Sequence, residues 1–198
     1  MAHTIKPLPF DYGATKGISE QVNKWHHDTH YAGYVNKRNE IEQALEKADR
    51  SKANANYSEY GELKRRETFN ASGQILHEIY WDMLGGDGHI GSSLEVSKKI
   101  EKDFLSLTAW KEDFMACAKA SLGWAILAYD PSDMKLHNYL CDFHNNGAVW
   151  GARPILAIDV FEHAYYHDYG PDRAKYLEAY LSNVDWGKVD TTYIKIIS

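Results

Sequence analysis

The sequence predicts an α+β protein in which an antiparallel hairpin of two long helices precedes an α/β domain built on a three-stranded antiparallel sheet. Three observations carry that reading. Apolar residues recur at helical spacing from Ile18 to Leu84, with a single polar break at SKANANYS. The glycine-rich stretch GGDGHIG, positions 85–91, interrupts that pattern. Beyond it the period shortens to β-branched and aromatic runs, WAILAYD, KLHNYLCDF and PILAID. The linker sets the expected boundary between an N-terminal unit, residues 1–88, and a C-terminal unit, residues 89–198.

The opening residues, MAHTIKPLPFDYGATKG, are rich in Pro and Gly and read as an extended arm lying over something else. From Ile18 to about Lys52 the spacing of Val22, Trp25, Tyr34, Ile41 and Ala44 predicts one long helix, with Ser19 as its cap and Gly33 as the point of a kink. A second helix is expected over about Tyr57–Leu84. Ser92, with Glu95 three residues on, predicts a capping box for a helix over about Leu94–Asp103. Another helix follows over Ala109–Ala120. The three strand-like runs, separated by DPSD and NNG, read as a meander, and AYYHDYGPDRAKYLEAYLSNV as a helical tail that closes the chain.

Composition bounds the function. At 198 residues, 44% hydrophobic and 25% charged, the chain is an ordinary globular protein. No basic segment followed by an apolar stretch opens it, and no run of about eighteen apolar residues occurs, so a soluble, unexported protein is expected, without membrane contacts. A net charge of −6 without a basic stripe argues against nucleic acid. Cys117 and Cys141 are the only cysteines, too few for a disulfide framework, and are expected reduced in a cytoplasm.

The ten histidines point to the chemistry. His26, His30 and Tyr34, spaced i, i+4, i+8, share one helical face, which is costly to bury unless something pairs with it. The same residues could form a solvated face beside Lys24 and Asp28. His77 lies in the apolar stretch QILHEIYW, where a lone histidine also serves as a hydrogen-bonded core residue. The sharpest local pattern is PILAIDVFEHAYYHDY, in which an apolar strand runs into Asp159 and then into Glu162, His163 and His167. A carboxylate at the end of a buried strand needs a cation or several donors. A metal held by imidazoles and a carboxylate meets that need with iron, manganese or zinc; a helix start capped by Asp159 is the plainer alternative. A ferritin-like di-iron protein is excluded, because no histidine has a glutamate three residues before it.

Together these segments resemble the iron/manganese superoxide dismutases over almost the whole chain. KPLPFDYGA resembles that family's arm, HHDTHYAGYV its first-helix motif, FNASGQILHEIYW its second-helix segment, LGWAIL its first strand, and DVFEHAYYHDY its most specific motif. The resemblance implies an antioxidant oxidoreductase that turns superoxide into dioxygen and hydrogen peroxide. It implies one iron or manganese ion per chain, cycling between the 3+ and 2+ states with a bound water or hydroxide. His26, His77, Asp159 and His163 are the implied ligands. Tyr34 and His30 fall at the substrate gateway and proton relay, Trp81 and Trp124 in the aromatic wall, and Arg173 near the funnel mouth, where it would steer the anion. Glu162 and Tyr166 match residues that reach across a dimer interface, to the partner's His163 and His30, so a homodimer or a tetramer of two dimers is expected.

Three positions depart from the family pattern. Where iron-type relatives carry the glutamine that hydrogen-bonds the metal-bound solvent, this chain has Gly73, with Gln74 one residue out of register. The loop DFHNNGAVWGARP instead offers His144 as substitute. Phe161 stands where tryptophan is usual, and His167 is read as a bystander. Gly73 follows the manganese pattern and Tyr80 before Trp81 the iron pattern.

Overall fold

The computed structural model describes residues 2–198. Two helices form the N-terminal hairpin. The first begins as α1 (Glu20–Trp25), with the Ser19 hydroxyl accepting from the Val22 N–H at 3.2 Å, passes through a π-helical turn at His26–Tyr31, and continues as α2 (Ala32–Lys47). The irregularity therefore falls on the histidine cluster and not at Gly33: the Ala32 N–H reaches back to the His27 carbonyl, five residues away. The helix also ends five residues earlier than expected, and residues 50–52 form a separate short turn capped by Asp49. The second helix is α3 (Glu59–Asp82), capped by Ser58, and it packs along α2.

The linker is not loose. Gly85 and Gly86 donate N–H groups to the Asn183 carbonyl and Gly88 to that of Val184, each at 3.0 Å. A Cβ on Gly86 would lie 2.5 Å from the Asp185 backbone, and one on Gly88, where φ is +74°, 2.6 Å from the Leu181 oxygen. Glycine is required there because two backbones meet.

Helices α4 (Glu95–Phe104) and α5 (Leu107–Ala120) follow. The expected Ser92 capping box does not form. Leu94 occupies the cap without a side-chain bond, and the Val96 N–H is satisfied at 2.7 Å by Asp190, 94 residues away. Strands β1 (Trp124–Asp130), β2 (Lys135–Cys141) and β3 (Arg153–Asp159) make the sheet in the order β2-β1-β3, which corrects the expected meander. Strand β1 is buried almost throughout, so it takes the centre with antiparallel partners on both sides. Trp124 is paired with Cys141 on one side and Asp159 on the other. Helix α3 crosses to pack on β3, and this contact brings the hairpin onto the sheet beside Asp159.

The tail is broken at Gly170–Pro171 into α6 (Tyr166–Tyr169) and α7 (Arg173–Leu181), and it does not close the chain. A further helix, α8 (Trp186–Ile197), starts where Asp185 accepts from the Gly187 and Lys188 N–H groups and buries Trp186, Val189 and Tyr193.

Candidate metal centre

Four side chains from three parts of the fold converge. His26 comes from the π-helical turn, His77 from α3, Asp159 from the end of β3, and His163 from the turn after it. One oxygen of Asp159, Oδ2, lies 3.1 Å from His26 Nε2, 3.3 Å from His77 Nε2 and 3.2 Å from His163 Nε2. The four ligand atoms lie within 4.8 Å of one another. His26, His77 and Asp159 are fully buried, while 19% of the His163 side chain is exposed.

The hydrogen bonds around this group fix its chemistry. The Phe161 N–H holds Asp159 Oδ1 at 2.9 Å and leaves Oδ2 to face the imidazoles. His77 Nδ1 lies 2.6 Å from the Gly73 carbonyl, which can only accept, so in the neutral ring that a metal ligand must be, Nδ1 carries the proton and Nε2 is a lone pair. That lone pair faces the carboxylate oxygen with no proton between them, and His77 Nε2 has no hydrogen-bond partner. Two buried acceptors aimed at each other repel unless a cation sits between them. Iron and manganese fit this donor set of three imidazole nitrogens and one carboxylate oxygen.

The charge states agree. Burial pushes His26 down to about 3, partly opposed by Asp159, so the ring is neutral at pH 7, as a ligand must be. Burial alone would raise the Asp159 carboxyl, but the His163 charge and the hydrogen bonds from His163 and His26 hold it well below the usual carboxylate range.

Around the ligands the structure brings together most of the other expected residues. The ring of His30 stacks on His163 with centroids 4.0 Å apart, and burial together with His163 lowers its pKa to about 4. Tyr34 lies 5.2 Å from the His77 ring and 4.5 Å from that of His144, its phenol pushed up to about 12 by burial and Asp159. Trp124 Nε1 donates to His144 Nδ1 at 2.9 Å; an indole cannot accept, so the neutral His144 ring bears its proton on Nε2. That Nε2–H is buried without a partner. The burial of His144, with His77 beside it, lowers its pKa to about 4. Trp81 lies against the rings of His26 at 5.1 Å and His77 at 5.6 Å. Phe161 stacks parallel to His163 and lies 5.2 Å from His144.

Gly73 explains why His144 fits. A Cβ there would come within 3.0 Å of Tyr34 and 3.2 Å of His144, so even the smallest side chain at this position would crowd both rings. The amide of Gln74 is turned away and bonded to Glu78 and Arg38. Arg173 is pinned: its guanidinium donates to the Ser121 carbonyl at 2.8 Å and to the Tyr165 hydroxyl at 3.3 Å. Glu162 and Tyr166 are exposed and, with Trp25 and His30, line a shallow depression that opens onto His163. His167 packs edge-on against Trp25, outside the ligand cluster.

Sequence reasoning missed Phe69, which lies 4.6 Å from the His144 ring and 6.0 Å from that of Tyr34. Its spacing could have found it: Phe69, Gly73 and His77 are four apart on one face of α3. It also missed Tyr176, whose hydroxyl donates to the Asp159 carbonyl at 2.7 Å. No local pattern marks that residue.

Comparison with known proteins agrees with this geometry. The profile described as iron/manganese superoxide dismutases, alpha-hairpin domain, matches residues 2–85, and the one for the C-terminal domain matches residues 92–192. A relative named superoxide dismutase [Mn] 2, from Haloferax volcanii, is 44% identical over 194 residues, covering 98% of this chain and 96% of that protein. The superoxide dismutase [Mn] of Haloarcula marismortui is 42% identical, covering 98% and 95%. The superoxide dismutase [Fe] of Aquifex aeolicus is 44% identical, covering 91% and 86%. With both halves matched and a cation-demanding cluster at their junction, the chain belongs to the iron/manganese superoxide dismutase family.

Proposed function

We propose that the protein is a superoxide dismutase with one iron or manganese ion per chain, held by His26, His77, Asp159 and His163. The observation that carries this is the unprotonated His77 Nε2 facing Asp159 Oδ2 at 3.3 Å inside a fully buried site. Bound iron or manganese, alternating between the 3+ and 2+ states, supplies the one-electron chemistry that converts superoxide to dioxygen and hydrogen peroxide.

The chain's own residues manage binding and protons. Phe161 N–H and the Gly73 carbonyl orient Asp159 and His77 as donors. The spare Nε2–H of His144 would donate to solvent carried by a bound metal, and the strength of that bond would tune the preference between metals. Tyr34, kept protonated by its raised pKa, and His30 are assigned to proton delivery. Trp81, Trp124 and Phe161 wall the site and exclude bulk water. Arg173 is the steering charge, and its hydrogen bonds to Ser121 and Tyr165 hold it rigidly.

A homodimer, or a tetramer of two such dimers, forms part of this proposal. The exposed Glu162 and the 51% exposed Tyr166, beside a partly open His163, support an interface that would seal the depression. A cytoplasmic location is in keeping with the free thiols Cys117 and Cys141, each raised to about 11 by burial. Among the described residues no helix is long and apolar enough to cross a membrane. The division at residues 88 and 89 is supported by family matches that stop at 85 and resume at 92.

The test is superoxide dismutation by protein reconstituted separately with iron and with manganese, counting metal per chain, beside His77→Ala. Activity at about one metal per chain, lost with its metal in His77→Ala, is expected. Metal bound at one equivalent without dismutation in either form would refute the enzyme assignment.

A further inference from the structure

The π-helical turn at His26–Tyr31 is an unusual support for a metal ligand. Such turns are rare and persist only where surrounding contacts over-determine them. On its inner side the turn presents His26 and His30 to the site. On its outer side one residue of the N-terminal arm, Lys6, bonds the turn twice and α3 once. The Lys6 N–H donates to the Tyr31 hydroxyl at 3.0 Å, and the Lys6 carbonyl accepts from His27 Nε2 at 2.8 Å. The Lys6 ammonium pairs with Glu78, the residue after ligand His77. The Tyr31 hydroxyl donates to Glu78 Oε1 at 3.0 Å, which closes the ring of contacts, and Gln74 donates to the same oxygen at 2.9 Å. Tyr31 is buried, and its ring lies 5.5 Å from Trp81 and 6.3 Å from His77.

We propose that Lys6, Tyr31 and Glu78 form a clamp that holds the π-helical turn in register with α3, and so are positioning residues for the metal centre. The inference rests on His26 and His77 being ligands. The clamp joins the turn carrying one to the helix carrying the other. Relaxation of the turn to α-helical pitch would rotate His26 against His30 and Tyr34. His26, His77 and Asp159 are fully buried, and the clamp resists movement of the two elements that carry His26 and His77.

The test is the rate at which manganese-loaded protein surrenders its metal to excess EDTA, beside the thermal midpoint of the metal-free form. Tyr31→Phe keeps the ring and removes both hydroxyl bonds. It should speed release about tenfold, the factor that corresponds to about 1.4 kcal/mol. Asn39→Ala removes the two backbone hydrogen bonds that, beside the His3–Glu42 contact, tie His3 of the same arm to the regular helix α2, and should leave release within about twofold. Glu78→Gln, which keeps an acceptor for Tyr31, should stay near wild type, whereas Glu78→Ala should follow Tyr31→Phe and serves as the second probe if that variant does not fold. Release unchanged in Tyr31→Phe and Glu78→Ala, or raised equally in Asn39→Ala, would overturn the clamp. Wild-type protein that retains no metal would instead overturn the ligand assignment, and the clamp with it.

Discussion

Replacing Gly73 by alanine separates fold from function at a single methyl group. The added Cβ would lie 3.0 and 3.1 Å from Cγ and Cδ1 of Tyr34 and 3.2 Å from Cδ2 of His144. Carbon atoms in contact sit about 3.5–4.0 Å apart, so both rings must retreat by roughly 0.5 Å. Neither has room: Phe69 backs both, and His144 is also tied to Trp124 and flanked by Phe161. Overpacking of this kind costs about 1–3 kcal/mol, whereas alanine in a helix interior is favoured over glycine by about 1 kcal/mol. The net loss is at most about 2 kcal/mol, a fall of roughly 4–8 °C in Tm. The catalytic effect is expected to be larger. Displacement of about 1 Å near reacting groups can cost 100-fold, so half of that should lower dismutation per bound metal by about tenfold. The control is Gly33→Ala, where nothing lies within 4 Å of the new Cβ; it should stabilise by about 1 kcal/mol and leave the rate alone. Stopped-flow superoxide decay, normalised to metal content, reads the first quantity and thermal unfolding the second. A Gly73→Ala protein that dismutates at the wild-type rate per metal would refute the argument that Tyr34 and His144 work from the positions they hold.

Two further outcomes follow from the same geometry. His144→Gln should retain dismutation while changing the ratio of iron-loaded to manganese-loaded activity, because it alters the donor behind the site and leaves the ligands untouched; equal effects on both forms would remove His144 from that role. The metal-free protein should lose thermal stability as pH falls from about 6.5 towards 4. His26, lowered to about 3, and His30 and His144, lowered to about 4, refuse protons that the unfolded chain accepts below about 6.5. Their contribution is therefore complete above that pH and fades below it, and a flat Tm between pH 7 and 5 would contradict the assigned charge states.

Much of this molecule is legible in the sequence where the determinant is local. Strand β1 covers the run WAILAYD without an offset, and Ser19 caps the first helix as its position predicts. The four residues that the family resemblance implies as ligands do come together, Asp159 and His163 from one long motif and His26 and His77 from the two helices of the hairpin. What escaped depends on distant partners. Ser92 has the right neighbour for a cap, but the helix is capped two residues later at Leu94, where Asp190 meets the Val96 N–H. The π-helical turn is set by contacts with an arm about twenty residues upstream and with α3, and nothing in HHDTHY distinguishes it from an ordinary helix. Strand order depends on which strand loses most water on both faces, and local alternation does not report that.

The glycine linker bears on the timing of assembly. Its N–H groups are satisfied by Asn183 and Val184, so the linker cannot be fastened until residues 183 and 184 have left the ribosome. His26 and Asp159, in contact at the site, are 133 residues apart in sequence. The hairpin, built from local contacts, can form early, while the metal pocket belongs to the slow, long-range end of folding. A chain interrupted before residue 183 would carry all four ligands and still lack the anchor that holds the linker in place. The complete metal pocket thus depends on contacts that form late.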